Sequence, residues 1–277
     1  MKYTYTIFLI IIILAIAIIL SSSYNRNAEG FRDFSNFTLH ENTTSIFNKF
    51  YAGEYEDLFK SYRNINVEIS NILSFTVEAD QKKNLKFLDL GCGTGQHLKE
   101  LGKLSFNLVG VDISQDMLDI AKTNTETSKL VKGDFHNKQL FKLREFSHIL
   151  CSFLTIYYSE NVEKIFKNAN YWLRMGGYFC IHLLGGIPKL PGKFKLSNFT
   201  YINKWLKSNE NNILEENFLF NDKKTLIRNK HTLYIKPLGY YINIGKQQGF
   251  KVFKKIDLSP NDWGENYILI FKKRHGP

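Results

Sequence analysis

The chain has 277 residues, 44% of them hydrophobic, and a formal charge of +11. That is enough for one sizeable core with a small appendage. Its three cysteines, Cys92, Cys151 and Cys180, include no Cys-x-x-Cys pair, which excludes the usual zinc and redox motifs and suits buried thiols in a reducing compartment.

The charge is uneven. Residues 1–185 carry 20 basic and 19 acidic side chains, and residues 186–277 carry 17 and 7. A basic last third can meet anionic lipid, nucleic acid or an acidic substrate. The plainer reading is a solvated surface made by a Lys- and Asn-rich composition.

At the N-terminus, Ile7 to Leu20 is unbroken apolar sequence, and residues 3–23 as a helix measure about 31 Å, enough to cross a bilayer. Tyr3, Tyr5 and Tyr24 stand where interfacial aromatics stand. A cleaved signal peptide competes with a retained anchor. The single Lys2 and the lack of a small-x-small site after Leu20 favour the anchor, with the lipid bilayer as partner. Asn36, Asn42 and Asn198 each open an Asn-x-Thr acceptor pattern, while the unpaired cysteines place the folded body on the cytosolic side. Residues 24–44 read as a polar tether.

The body begins near Ser45. Residues 45–62 and 64–79 show helical apolar spacing, the first interrupted by Gly53. Strands are then predicted at 85–90, 107–112, 128–133, 146–153 and 178–184, alternating with helices at about 95–103, 114–124 and 159–173. Ser114 is a natural N-cap, and Gly176-Gly177 suits a helix C-terminus. This alternation implies an α/β fold with a doubly wound parallel sheet. Residues 187–238 contain short alternating runs that read as β-hairpins, an insertion or lid over the sheet's open end. A helix at 240–250 and strands at 251–258 and 266–273 close the chain.

The loop Gly91-Cys92-Gly93-Thr94-Gly95 follows the first strand of this series. It is not a P-loop, because no Gly-Lys-Ser/Thr follows. Nor does it complete G-x-G-x-x-G, since its third glycine comes one residue early. Asp89, two residues before the loop, repels phosphate and attracts an ammonium or sulfonium group.

D-x-G-x-G-x-G after a first strand resembles motif I of class I S-adenosylmethionine-dependent methyltransferases. Val109-Gly110-Val111-Asp112-Ile113-Ser114 is similar to the second-strand motif, whose acidic residue takes the ribose hydroxyls. Lys132-Gly133-Asp134-Phe135 is similar to the motif that meets the adenine. Phe146–Phe153 and Trp172–Tyr178 resemble the fourth strand and the turn before the fifth, with Met175 where the family has Pro. The likeness is close over about residues 45–185 and looser in the last strands. It implies a Rossmann-like, mostly parallel seven-stranded sheet and S-adenosyl-L-methionine as cofactor. Its binding set would be Asp89, Gly91, Cys92, Gly93, Gly95, Asp112, Ile113, Met117, Asp134, Phe135 and Ser152. Met117 reads equally as core.

No residue announces itself as a catalytic base, and no metal site is expected. His182, His231 and Tyr157 are candidates, with His136 beside the adenine motif; for each histidine a structural role is the simpler reading. Tyr51, Tyr55 and Tyr62 could close the pocket from the N-terminal helices or merely pack. Residues 155–158 lack the Asn/Asp-Pro-Pro-aromatic tetrapeptide of many amino-methylating enzymes. The acceptor is therefore expected to be a small molecule or lipid-like. RNA or protein reached through the basic last third is the alternative, and a non-catalytic cofactor-binding scaffold the third.

Overall fold

The computed structural model describes residues 34–60, 63–78, 84–126, 128–188, 190, 192–207, 211–258 and 264–274. The apolar run at 7–20 and Tyr62 lie outside the described residues. Among those described, no helix is long and apolar enough to cross a membrane.

The chain packs as two compact units. The larger comprises 40–192, 203–216 and 229 onward, and contains a seven-stranded sheet. Its strands are β2 (Lys86–Leu90), β3 (Asn107–Asp112), β4 (Lys129–Lys132), β5 (Phe146–Cys151), β6 (Leu173–Leu184), β11 (Phe250–Asp257) and β12 (Asn266–Lys273). Their order is β11-β12-β6-β5-β2-β3-β4. The pairs from β6 to β4 are parallel, and β12 runs antiparallel to both β6 and β11. From β2 the chain builds outward through β3 and β4, then returns to the other side of β2 for β5 and β6. Open α/β sheets bind ligands at the carboxyl ends of the strands where the order reverses.

The helices of this unit are α1 (Thr43–Ile46), α2 (Lys49–Phe59), α3 (Ile65–Thr76), α4 (Gln96–Gly102), α5 (Gln115–Asn124), α6 (Val162–Trp172) and α7 (Leu238–Gln247). One side of the sheet is sealed by Ile69 and Ile72 of α3, Leu98 and Leu101 of α4, and Leu118 of α5. They pack on Phe87, Leu108, Leu150, Ile268 and Ile270. On α6, Phe166 meets the rings of Phe179, Phe250 and Phe271 edge-on. Burying each such side chain stabilises the fold by about 1.5–3 kcal/mol. All three cysteines are buried and free, as expected.

The smaller unit comprises 193–202, 217–228 and, before them in the chain, the described residues 34–39. Phe194, Phe199, Tyr201 and Phe218 form its aromatic cluster. Within it, the guanidinium of Arg228 lies 5.6 Å from the Phe37 ring centroid and donates to Asn217 at 2.8 Å. The remaining strands are β1 (Asn36–His40), β7 (Lys193–Lys195), β8 (Phe199–Lys207), β9 (Asn212–Phe220) and β10 (Thr225–Leu233), in a sheet ordered β1-β10-β9-β8-β7.

Three local expectations are corrected. Asn36–His40, expected within a tether, is a strand, because its unpaired backbone groups find a partner in β10. The first helical segment breaks at Phe47 and not at Gly53, because the Asn48 side chain accepts from Tyr51 N–H at 3.1 Å and starts a new helix. Helix α6 ends at Trp172 with an extended Leu173 as its C-cap, so Gly176-Gly177 is no helix terminus. Those glycines lie in β6 at a register shift opposite β5, where a Cβ on Gly177 would stand 2.8 Å from the Ser147 carbonyl oxygen.

Candidate functional site

Strand β2 delivers Asp89 and the glycine loop to the switch point. Gly91, Gly93 and Gly95 have φ of +62°, +52° and +81°. A Cβ at Gly91 would also stand 2.5 Å from Thr155 Cγ2. Gly95 is the N-cap of α4, backed against Ala121 and Thr125; it shapes the loop and lines none of the cavities described below. The Cys92 N–H donates to the Val111 carbonyl at 3.0 Å. Gly93 N–H donates to Asp112 Oδ2 and Ser114 N–H to Asp112 Oδ1, both at 2.9 Å. Asp112 thus stitches the loop to the end of β3. Burial pushes its carboxyl up, and the N–H groups of Ser114, Gly93 and Ile113 oppose that push.

Three cavities adjoin here. The largest, about 240 Å³, is lined by Thr43, Phe47, Tyr55, Gly91, Gly93, Asp112, Ile113, Met117, Asp134, Phe135, His136, Thr155 and Tyr158. Ile113, Met117 and Phe135 give it apolar walls, and Asp112 and Asp134 give it carboxylates. Asp134 Oδ1 accepts from His136 N–H at 2.9 Å and lies 2.7 Å from its Nδ1, while His136 Nε2 lies 2.7 Å from Ser159 Oγ. Partial burial would raise the Asp134 carboxyl, but the His136 backbone and ring hold it below its ordinary value.

A second cavity holds Asp89, Cys92, Thr94, His97, Ser152, Phe153 and Arg63, with Tyr55, Gly91, Gly93 and Thr155. Asp89 is buried, and neither of its oxygens has a hydrogen-bond partner among the described residues. Burial pushes its carboxyl up to about 6, opposed by His97 and Arg63. Beside it, His97 Nε2 and Glu68 Oε2 pair at 3.0 Å. Burial would raise Glu68, yet its bond to His97 brings it down to about 2. A buried carboxylate with two orphaned oxygens is costly unless a cation arrives.

Arg63 supplies the complement. Its guanidinium lies 5.1 Å from the Phe153 ring centroid and 5.7 Å from that of Tyr55, and it suits a carboxylate. Sequence reasoning missed it, because no motif surrounds it. Phe153 itself has φ of +55°, a left-handed backbone rare for an aromatic residue, at the mouth of β5. Asp89 and Arg63 together fit the ammonium and carboxylate of an amino acid, while the first cavity fits an adenosine. The residues present therefore fit S-adenosylmethionine.

The third cavity is lined by Phe47, Tyr51, Tyr55, Phe59, Phe153, Leu154, Thr155, Tyr158, Leu214 and His231. Tyr55 and Thr155 border all three cavities. Burial pushes the Tyr55 phenol up to about 12. His231 is thus placed at the site by β10. His182 is buried inside the sheet, 3.2 Å from Asn266 Oδ1, and lines none of the three cavities. Tyr157 is fully buried, accepting from Leu184 N–H at 2.6 Å, and lines none either. Among the described residues no cluster of three or more His, Cys, Asp or Glu could hold a metal.

Residues 88–181 match a family described as a methyltransferase domain. A ubiquinone biosynthesis O-methyltransferase of Pelagibacter ubique is 26% identical over 226 residues, 78% of this chain and 89% of that protein. An S-adenosylmethionine-dependent methyltransferase from Clostridium acetobutylicum superposes with a TM-score of 0.64 at 20% identity, covering 81% of this chain and 98% of that one. An S-adenosylmethionine-bound amino pentose methyltransferase from Micromonospora echinaspora gives 0.62 at 14% identity, covering 79% and 96%. Residues 88–181 are thus a methyltransferase domain by sequence, and the fold around them is the one that solved S-adenosylmethionine-dependent methyltransferases share over nearly the whole of their chains.

Proposed function

We propose that the protein methylates a small-molecule or lipid-like acceptor, and that residues 3–23 hold it to a bilayer with the body on the cytosolic side. The observation that carries the first part is the junction at Tyr55 and Thr155. A sulfonium joined to an adenosine on one side and an amino acid on the other sits where those two cavities meet. The third cavity opens onto that point and is mostly aromatic and apolar. At about 40 Å³ it admits only the reacting end of an acceptor, and its walls suit one that is partly hydrophobic.

Bound S-adenosylmethionine supplies an electrophilic methyl group on a charged sulfur. The chain's residues supply proximity, alignment and exclusion of water. Asp89 and Arg63 orient the amino-acid end, Asp112 the ribose, and Ile113, Met117 and Phe135 the flat base. The Asp134–His136–Ser159 chain fixes the loop beside the base. None of the described Lys or Arg residues of the last third lines the three cavities, which weighs against an RNA or protein acceptor drawn in by that charge.

The test is methyl-labelled S-adenosylmethionine incubated with the full chain and, separately, with a small-molecule extract, total RNA and a protein lysate. Label entering the low-mass fraction supports the proposal; label entering only RNA or protein overturns it. Fractionation of cells tests the anchor: the full chain sediments with membranes, and a chain lacking residues 1–23 does not. Equal recovery in the soluble fraction refutes it.

A further inference from the structure

A hydrogen-bonded chain of three buried or half-buried side chains runs along the third cavity. Glu216 of β9 is fully buried, and its Oε2 lies 2.7 Å from His231 Nε2. His231 of β10 is 1% exposed, and its Nδ1 lies 2.6 Å from Tyr158 Oη. Tyr51 Oη donates to the other Glu216 oxygen at 3.1 Å. The rings of Phe47, Tyr51 and Tyr158 stand around the imidazole at centroid separations of 5.8–6.0 Å. Tyr234 N–H donates to the Tyr157 carbonyl at 2.8 Å, pinning the end of β10 against the turn that carries Tyr158.

The direction of the chain follows from its ends. An ionised Glu216 can only accept, so it takes the Nε2 proton and leaves the Nδ1 lone pair facing Tyr158. Tyr158 then donates to Nδ1, and its oxygen keeps a lone pair. Tyr158 borders both the cavity of about 240 Å³ and the aromatic one.

Building on the methyltransferase reading, we infer that Tyr158 and His231 take the proton of a hydroxyl acceptor, so that the substrate is a neutral hydroxyl carried on an apolar or planar group. As the acceptor oxygen bonds to the methyl carbon, the carbon–sulfur bond breaks and its electron pair stays on sulfur. The hydroxyl proton passes to Tyr158 Oη while the Tyr158 proton passes to His231 Nδ1. The imidazolium left behind faces the Glu216 carboxylate and later yields its proton to solvent. Glu216 is a positioning residue: it selects the tautomer that leaves Nδ1 free to accept.

Two readouts test this on the full chain. The first needs no cofactor. The nitrogen-15 spectrum of histidine-labelled protein should show His231 with Nδ1 unprotonated and Nε2 protonated, a pattern that Glu216→Leu, which leaves no acceptor beside Nε2, should abolish. The opposite tautomer, or a pattern insensitive to Glu216→Leu in a folded variant, overturns the relay. The second uses catechol, which must lose a proton, and 4-nitrophenol, already an anion at mildly alkaline pH. Tyr158→Phe and Glu216→Gln should each lower the catechol rate relative to the 4-nitrophenol rate by about a hundredfold, at the low end of what general-base catalysis contributes. An unchanged ratio in a folded variant overturns it. So does a wild-type protein that binds S-adenosylmethionine and methylates aniline but no hydroxyl probe, or none of the probes. Absent cofactor binding would instead remove the reading on which it rests.

Discussion

Asp89→Asn separates a ligand-binding carboxylate from a core residue, because the two roles give opposite signs. Burial raises the Asp89 carboxyl from 3.8 to about 6 in the folded chain. Between those values the folded state holds a proton that the unfolded state has lost, so stability falls as pH rises through the window and levels off above it. Above pH 6 the ionised group costs about 3 kcal/mol, at ~1.36 kcal/mol for each pH unit between the two values. The amide introduced by Asp89→Asn would escape that cost but remain unpartnered, at about 1–3 kcal/mol. The net gain in the unliganded protein is up to about 2 kcal/mol, or roughly up to 8 °C in Tm for a domain of this size. Cofactor binding should move the other way, because the orphaned carboxylate is the natural partner of the ammonium. Thermal melts at pH 7.5 with and without S-adenosylmethionine would show a higher Tm for the free variant and a smaller ligand-induced rise. At pH 4 the wild type, now protonated, should lose its disadvantage. A variant less stable than wild type at pH 7.5, with an undiminished ligand shift, would refute this account of Asp89.

Other expectations follow from the same geometry. Asp112→Asn keeps the side chain's shape but removes the charge that holds Gly93 N–H and Ser114 N–H. Calorimetry should show affinity for S-adenosylmethionine weakened by about a hundredfold, the loss of hydrogen bonds to a charged group costing ~1.5–3 kcal/mol each. Arg63→Met retains bulk against Phe153 and Tyr55 but not the charge. KM for the cofactor should rise about tenfold to a hundredfold with a smaller change in kcat, as ground-state binding is lost. Gly91→Ala forces a Cβ into left-handed backbone and against Thr155. A loss of at least ~1–2 kcal/mol in denaturant unfolding is expected, with partial relief from Thr155→Ser, which removes the clashing methyl but not the strain.

The central strands were legible because a parallel strand buried on both faces is a short apolar run ending in turn residues. Strands β3 and β12 lie where their sequences place them, and β2 and β5 begin or end within two residues of that. The residues that line the first two cavities could be singled out for a related reason: Asp89, Gly91, Gly93, Asp112 and Asp134 each follow such a run, at fixed distances from it. What escaped notice depends on partners far along the chain. Asn36–His40 is short and mostly exposed, its two apolar residues Phe37 and Leu39 included, and its pairing with β10 makes a strand of it. Arg63 stands in an irregular segment between α2 and α3, and its meaning comes from Asp89 across the cavity. Glu216, His231 and Tyr158 lie on β9, β10 and the turn after β5, so no local pattern joins them. His231 could be named as a candidate but not told apart from His182, which is buried against Asn266 and lines none of the three cavities.

Whether the pocket holds S-adenosylmethionine is decided by a calorimetric titration of the full chain with that molecule at neutral pH. Saturable binding at one site per chain is expected, weakened by both Asp112→Asn and Arg63→Met, whose side chains line different cavities. No detectable heat of binding, or binding indifferent to both substitutions, would contradict that expectation.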